Sequence, residues 1–315
     1  MPESETPSKS VKDRIQTKKE AWLHAIRLRT LPLALASILA GSFLAANFNI
    51  FRWEILVLAA LTTIFLQILS NLSNDYGDTI NGADHADRQG PIRAVQSGLI
   101  SLLEMKKAMY LFGALSLISG LLLLFFAVQS MTLFLIFLGL GLAAIWAAIT
   151  YTSGSNPYGY AGLGDISVFI FFGILGVFGT FFLHSLTLNL SGIWIAIALG
   201  LFSTSVLNIN NIRDIESDFS AGKKSIPVRI GKKAANLYNW FLILGGNCSL
   251  IVFVWISDSW GALLALLAMP IMIAVALGVQ NGKESKTIDP YLKKMALSTL
   301  LWTILFGVGL IFLSP

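Results

Sequence analysis

Charged side chains are scarce in this chain of 315 residues. Only 12% of the residues are Asp, Glu, Lys or Arg, whereas a soluble globular domain carries charge on about a quarter of its residues. Hydrophobic residues make up 55% of the chain. This balance excludes an ordinary soluble domain and predicts an integral membrane protein. The one cysteine, Cys248, excludes a disulfide within the chain, and its apolar surroundings predict a packing role.

The sequence predicts neither an interdomain linker nor a cleavable signal peptide. No stretch rich in Pro, Ser or charge divides the chain, and the first thirty residues lack the short apolar core of a cleavable signal peptide. Apolar runs of about 17 to 25 residues indicate membrane-spanning helices. Nine such runs are centred on residues 31–50, 53–73, 108–128, 131–150, 165–185, 192–211, 236–256, 260–280 and 296–314.

The runs predict two parts: a basic cytoplasmic tail over residues 1–29 and one all-α transmembrane domain over residues 30–315. In the tail, Val11, Ile15, Trp22 and Ile26 fall at spacings that suit one face of a helix. A helix lying on the membrane surface and a disordered basic tail therefore both remain open.

Basic residues test the number of spans independently. With nine spans and a cytoplasmic N-terminus, 21 of the 22 Lys and Arg residues fall on the cytoplasmic side, and Arg52 alone falls opposite. The positive-inside rule predicts this asymmetry. The C-terminus is then expected on the opposite side. Because topology accounts for the net charge of +5, no nucleic-acid partner is expected.

Two acidic clusters follow the second and the sixth spans, on the same side of the membrane. If those helices continue past the bilayer, each presents an amide and two carboxylates on one face. The two sets are Asn71, Asp75 and Asp78, and Asn210, Asp214 and Asp218. Like charges at this spacing repel, so we expect a cation between them. Oxygen ligands suit Mg²⁺ shared with substrate phosphates; the alternative is that acidic residues merely decorate loop ends.

Basic residues alternate with these acids and indicate an anionic ligand. Arg88 and Arg93 follow the first cluster, and Lys223, Lys224 and Arg229 follow the second. Arginine offers phosphate a planar fork and lysine a mobile point charge. Positive-inside bias alone would place some of these residues here, but a metal-bridged diphosphate requires both signs of charge.

Four stretches resemble the UbiA superfamily of intramembrane prenyltransferases: NDYGD, DRQGPIRAVQSGL, YTSGSNPYGYAGLGD and NNIRDIESDFSAGKKSIPVRIG. The resemblance runs from about residue 26 to the last span. It implies a bundle of nine transmembrane helices in the cytoplasmic (inner) membrane, with an active-site cavity facing the cytoplasm. The motifs look more like the branch that uses 1,4-dihydroxy-2-naphthoate than like the hydroxybenzoate enzymes.

The resemblance also implies the reaction and its residues. A polyprenyl chain passes from polyprenyl diphosphate to the naphthoate, with loss of CO₂ and diphosphate, giving demethylmenaquinone. Two Mg²⁺ ions are expected on Asn71, Asp75, Asp78, Asp214 and Asp218; Asn74, Arg88, Arg93, Asn210, Asn211, Lys223, Lys224 and Arg229 are expected to bind substrate. The chain departs from the family pattern at Gly82, where other branches often carry a third acid; Asp84 and Asp87 come later and rank second as metal ligands.

The motif between the fourth and fifth spans contributes tyrosines. Tyr151, Tyr158 and Tyr160 are expected to stack on the acceptor ring or to stabilise an allylic cation, with Tyr151 as a catalytic residue. The alternative is the tyrosine enrichment found at any membrane interface. Asp165 is either a further site residue or the N-cap of the fifth helix.

Two alternative functions stay open. A related prenyltransferase would use another aromatic acceptor, 4-hydroxybenzoate or homogentisate. A cation-coupled transporter would also place carboxylates in membrane helices, but transporters tend to bind ions near the bilayer midplane. Here the interiors of the runs hold almost no ionisable residues, and the acids gather at one face, which favours an enzyme.

Overall fold

The computed structural model describes residues 17–82 and 93–314, and the regular structure in these residues is helical. The helices in chain order are α1 (Lys18–Ile26), α2 (Leu31–Asn47), α3 (Trp53–Ile80), α4 (Leu102–Ala127), α5 (Met131–Thr150), α6 (Gly164–Ser185), α7 (Ile193–Arg213), α8 (Ile215–Ser220), α9 (Ile226–Ser257), α10 (Trp260–Asn281) and α11 (Ser285–Phe312). Short 3₁₀ turns over Leu28–Thr30 and Leu190–Gly192 precede α2 and α7.

In the described part of the chain, nine helical segments are long and apolar enough to cross a membrane. They lie at the nine predicted runs, so the predicted number of spans is confirmed. The ends differ. Helix α3 continues to Ile80, and this extension carries the first acidic cluster. Helix α11 begins at Ser285, after a capping box formed by Glu284 and Thr287. An apolar run marks only the part of a helix that faces lipid, so polar helical turns beyond it escape detection.

Helix α7 lies at the centre of the bundle. In the most apolar 18-residue stretch of its span, 61% of the residues are buried. The corresponding share is 11% for α5, which lies at the periphery. The main core cluster surrounds α7 and includes Phe202 from α7 and Trp302 and Phe306 from α11. The Trp302 ring stacks on Phe306 at 5.7 Å and meets the Phe202 ring edge-on at 5.3 Å. This packing fixes the helix that leads into the second acidic cluster.

Two glycines bring α6 and α7 into close contact. A Cβ at Gly173 would lie 2.5 Å from the Ala196 carbonyl oxygen, and a Cβ at Gly200 would lie 2.7 Å from the Phe169 ring. A larger residue at Gly173 would collide with the α7 backbone, and one at Gly200 would collide with the Phe169 ring. The middle of α6, Phe169–Gly179, is a π-helix, and this segment forms part of the cavity wall described below.

The outer surface of the bundle is apolar, as lipid contact requires. Phe125 and Trp255 expose 75% and 80% of their surfaces. Cys248 is also exposed, so the predicted packing role is wrong. Its position falls on the outward face of α9. Helix α1 starts at a capping box of Thr17 and Glu20. Its location on the membrane surface stays a prediction, and Val11 and Ile15 lie outside the described residues.

Candidate active site

A cavity of about 400 Å³ lies among helices α2 to α7. One part of its wall is apolar and includes Leu121, Leu124, Phe137, Phe171, Phe172 and Leu175. The other part is polar and charged, and includes Asn74, Asp78, Arg93, Asn210, Asn211, Asp214, Asp218 and Lys223. The fold therefore brings residues of both acidic clusters, which are four spans apart in the sequence, to one cavity that also has a large apolar surface.

The extension of α3 beyond the predicted run is held by the segment that follows α5. The Thr152 hydroxyl donates to the Ser73 carbonyl oxygen at 3.0 Å and lies 3.1 Å from Asn74 Oδ1. Gly77 permits this approach, because a Cβ there would lie 2.5 Å from the Thr152 carbonyl oxygen. These contacts fix the last turns of α3, where the first acidic cluster lies.

Asp78 is the most heavily partnered acid of the first cluster. Its carboxylate is 2% exposed, yet it contacts two basic groups: Arg93 Nη2 lies 2.5 Å from Oδ2 and Lys223 Nζ lies 2.9 Å from Oδ1. The Tyr160 hydroxyl also donates to Oδ1 at 2.8 Å. The ion pairs offset the cost of burying this charge.

Asp75 and Asn71 face other parts of the molecule. Asp75 Oδ2 accepts from the Ala94 backbone N–H at 3.1 Å, and Oδ1 is buried without a hydrogen-bond partner in the described residues. Asp75 does not belong to the cavity wall. Asn71 does line the cavity, but its amide donates to the Ile26 carbonyl oxygen at 2.8 Å and to Thr30 Oγ1 at 3.2 Å. Asp78 is thus the acid of the first cluster that faces the cavity.

Asp218 reaches the same cavity from the segment after α7. α7 ends at Arg213, Asp214 interrupts the helix, and α8 carries Asp218. Asp218 Oδ1 lies 3.5 Å from Lys223 Nζ, and Oδ2 accepts a hydrogen bond from Ser225 at 3.4 Å. Burial raises the pKa of Asp218 to about 6, although Lys223 opposes this shift. One ammonium group therefore lies between a carboxylate of each cluster, and it also lies 4.7 Å from the Tyr160 ring centroid.

Asp214 belongs to a buried ion-pair network. Arg213 Nε and Nη2 bind Asp214 Oδ1 and Oδ2 at 2.8 and 2.6 Å, and Arg213 Nη1 lies 2.5 Å from Asp289 Oδ1. Arg29 binds the same Asp289 carboxylate at 3.0 Å. The sequence analysis did not select Arg213, Asp289 or Arg29. Of these three residues, only Arg213 could have been found from the sequence, because it directly precedes Asp214 in the motif.

Two of the predicted basic residues lie outside the cavity wall. The backbone N–H of Lys224 donates to the Tyr160 carbonyl oxygen at 2.9 Å while its side chain is exposed, and Arg229 Nη2 donates to the Ala161 carbonyl oxygen at 2.5 Å. Lys224 thus ties the segment after α5 to the segment after α8, and Arg229 ties it to the first turn of α9. Arg88, Asp84 and Asp87 lie outside the described residues.

The three tyrosines all line the cavity. The Tyr151 and Tyr158 rings meet edge-on at 5.3 Å, and the Tyr158 hydroxyl lies 3.0 Å from Ser167 Oγ. Burial raises the pKa of the Tyr151 phenol, as does the nearby Asp165 carboxylate, and burial likewise raises the pKa of Tyr160. These phenols therefore stay protonated near neutral pH, and the Tyr160 hydroxyl donates a hydrogen bond to Asp78.

Asp165 is not an N-cap. It is the second residue of α6, whose N-cap is Leu163, and it is 8% exposed on the cavity wall. Its Oδ1 accepts a hydrogen bond at 3.3 Å from Tyr238 of α9, a residue that the sequence analysis missed. A lone tyrosine 73 positions away in an apolar run offered no signal of this contact.

The donor set at the polar end suits a divalent cation. In residues 17–82 and 93–314, no group of three or more His, Cys, Asp or Glu side chains is arranged to hold a metal ion. Mg²⁺, however, commonly takes one or two carboxylates and fills its other positions with water and substrate phosphates. Asp78 and Asp218 already share a cation, the Lys223 ammonium. These two carboxylates therefore fit a metal site that substrate completes.

Comparisons with known proteins identify the family. The family model described as the UbiA prenyltransferase family matches residues 34–300. The chain belongs to the UbiA prenyltransferase family. It is 44% identical over 303 residues to the 1,4-dihydroxy-2-naphthoate octaprenyltransferase of Haemophilus influenzae, covering 95% of this chain and 98% of the relative. Over 300 residues it is 44% identical to the Escherichia coli protein of the same name, covering 95% and 97%.

The UbiA fold is also seen in a solved structure. A UbiA homolog from Archaeoglobus fulgidus bound to GPP and Mg²⁺ superposes with a TM-score of 0.57 at 18% identity, over 92% of this chain and 99% of that one. This likeness confirms the predicted all-α membrane fold, and the family match with the 44% identical relatives confirms the predicted prenyltransferase class. Membership of an enzyme family replaces the transporter hypothesis.

Proposed function

We propose that this UbiA family member transfers a polyprenyl chain from polyprenyl diphosphate to 1,4-dihydroxy-2-naphthoate. The observation that carries the proposal is the single cavity that joins a charged end, with Asp78, Asp218, Arg93 and Lys223, to an extended apolar wall. A prenyl diphosphate has the same division between a charged head and an apolar chain. The names of the relatives at 44% identity support the naphthoate as acceptor.

The charged end would bind the diphosphate. Asp78 and Asp218 would hold Mg²⁺, with Asp214 and Asn210 beside them and Asp75 holding the Ala94 segment in place. Bound Mg²⁺ supplies a Lewis acid that neutralises negative charge on the leaving diphosphate. Arg93 and Lys223 add cationic donors to its oxygens. The A. fulgidus neighbour, described as bound to GPP and Mg²⁺, supports this use of a metal. A second Mg²⁺ ion at the charged end is also part of the proposal.

The tyrosine wall would receive the acceptor. The Tyr151, Tyr158 and Tyr160 rings offer flat apolar surfaces for a bicyclic ring and for an allylic carbon that gains positive charge. Asp165, held by Tyr238, offers an oxygen that can accept a hydrogen bond from an acceptor hydroxyl. This side of the site positions the ring carbon next to the prenyl carbon.

The bond changes balance without an external oxidant. The bond between the first prenyl carbon and the diphosphate oxygen breaks, and the diphosphate keeps the electron pair. Ring carbon 2 of the naphthoate then forms the new carbon–carbon bond, and its carboxylate leaves as CO₂ and returns its bonding pair to the ring. The product is the prenylated naphthalenediol, the quinol form of demethylmenaquinone.

The remaining expectations form part of this proposal. The protein lies in the cytoplasmic membrane with its N-terminus and the charged end of the cavity on the cytoplasmic side. The support is the distribution of Lys and Arg, of which 21 of 22 fall on one side of the nine-span arrangement.

A side-by-side acceptor assay tests the proposal. Purified protein with Mg²⁺ and a long polyprenyl diphosphate should consume 1,4-dihydroxy-2-naphthoate and release CO₂ and diphosphate, with product detected as the quinone after air oxidation. Under the same conditions, 4-hydroxybenzoate and homogentisate should be poor acceptors. Better use of either one would refute the assignment of the acceptor. EDTA should stop turnover, and excess Mg²⁺ should restore it.

A further inference from the structure

The position of Lys223 raises a question about how the metal site fills. Its ammonium nitrogen lies 2.9 Å from Asp78 Oδ1 and 3.5 Å from Asp218 Oδ1. A divalent cation shared by these two carboxylates would need the same space. Two cations cannot occupy it together, because their repulsion in a poorly hydrated cavity is large.

We propose that Lys223 is a resident counter-cation of the metal site, holding Asp78 and Asp218 together until a metal displaces its ammonium, which then binds the substrate diphosphate. This inference rests on the proposed function. It assigns Lys223 two successive partners, carboxylates first and phosphate oxygens second.

The surroundings of Lys223 suit such an exchange. Its backbone N–H donates to the Asp218 carbonyl oxygen at 2.9 Å, which anchors the main chain. Its side chain is 15% exposed and has a long flexible stem, so the ammonium can move while the backbone stays fixed. Arg93 binds the other oxygen of Asp78, Oδ2, and therefore does not occupy the space between the two carboxylates.

Charge balance favours a site that holds one cation at a time, either the Lys223 ammonium or the metal. Without Lys223, two buried carboxylates would face each other across the cavity, and their repulsion would favour protonation or separation. With Lys223 still in place, a bound metal would share the carboxylates with a competing cation. The diphosphate removes this conflict by bringing its own negative oxygens, so metal and diphosphate should bind better together than either does alone.

Amine labelling of the wild-type protein in detergent tests the movement directly. Acetylation of Lys223 is measured by mass spectrometry relative to its exposed neighbour Lys224, which serves as the internal reference. Mn²⁺ alone should raise the ratio severalfold, because the ammonium is displaced. Adding inorganic diphosphate together with Mn²⁺ should lower it again. A ratio that Mn²⁺ leaves unchanged would overturn the proposal.

Metal binding to variants tests the competition. Bound Mn²⁺ is measured by electron paramagnetic resonance for wild type, K223M, K223R and the charge control K224M. K223M should bind Mn²⁺ alone roughly tenfold more tightly than wild type but bind diphosphate more weakly in the presence of Mn²⁺. K223R, which keeps the charge, and K224M should resemble wild type in Mn²⁺ affinity. Equal or weaker Mn²⁺ binding by folded K223M would refute the exchange.

The outcomes separate this inference from the proposed function. If wild type binds Mn²⁺ and shows the labelling changes but transfers no prenyl group to the naphthoate, the proposed reaction fails and the exchange stands. In the opposite case, wild type transfers the prenyl group, but Mn²⁺ leaves the labelling of Lys223 unchanged and K223M binds Mn²⁺ no more tightly than wild type does. The exchange then fails and the reaction stands.

Discussion

The ion-pair network behind Asp214 allows a quantitative prediction. The Arg213 side chain is 3% exposed and binds both oxygens of Asp214, which is itself 6% exposed. Replacing Arg213 by Met would leave the Asp214 carboxylate buried without its main partner. Removing one member of a buried ion pair costs about 3 to 5 kcal/mol. Because Asp214 lines the cavity, where water can reach it, we expect the lower end, about 3 kcal/mol of unfolding free energy.

The partner substitution should cost less. In D214N, Arg213 keeps Asp289 and also Asn210, whose Oδ1 accepts from Nη2 at 2.8 Å. We expect a loss of about 1 to 2 kcal/mol. The double variant R213M/D214N removes both charges, so its loss should be smaller than the sum of the single losses by about 2 kcal/mol.

Reversible SDS unfolding in mixed micelles, followed by tryptophan fluorescence, measures these losses. The control is K18M, because Lys18 pairs with Glu104 on the surface and exposed pairs contribute little. K18M should show no resolvable change. If the losses of the two single variants simply add in the double variant, Arg213 and Asp214 are not coupled and the reasoning is refuted.

Three further predictions concern the acid of the second cluster, the segment after α5 and the topology. Burial raises the pKa of Asp218 to about 6, and only the charged carboxylate binds metal, so Mn²⁺ affinity should fall roughly tenfold as the pH drops from about 7 to about 5. The D218N variant should lose this pH dependence. A wild-type protein whose Mn²⁺ affinity does not change over this pH range would contradict the role of Asp218. G77A should abolish prenyl transfer or markedly lower the midpoint of SDS unfolding, because its methyl group would collide with the Thr152 carbonyl. The control G139A should be neutral, because nothing lies within 4 Å of a Cβ at that position. Equal effects of the two variants would contradict the close contact at Gly77. In a variant without Cys248, cysteines at positions 286 and 258 should react with an impermeant maleimide from opposite sides of the membrane, and labelling from the same side would break the nine-span topology.

The spans were predictable because the bilayer imposes one rule on all of them. A helix that crosses lipid needs an apolar run of a certain length, and each of the nine runs satisfied it. The polar ends of the helices obey no such rule. The extension of α3 to Ile80 depends on Gly77 and Thr152, which lie far apart in the sequence.

The site was predictable in its chemistry but not in its geometry. Helical spacing placed Asp75 and Asp78 near one face, yet a residue spacing of three spreads side chains over an arc wide enough to separate their surroundings. Asp78 faces the cavity, while Asp75 faces the Ala94 segment. Asp289 and Tyr238 could not be selected, because each acts through a partner on another helix.

The expected cation between the acidic clusters illustrates this limit. Repulsion between carboxylates required a positive charge, and both a metal and a nearby lysine satisfied that requirement equally well. In the described chain, Lys223 reaches Asp78 and Asp218 at once and so supplies this positive charge itself. A metal bound at this place must therefore replace an ammonium group that is already there. The affinity of the site for metal is then the difference between two cation–carboxylate interactions, and diphosphate strengthens metal binding by giving the displaced lysine a new partner.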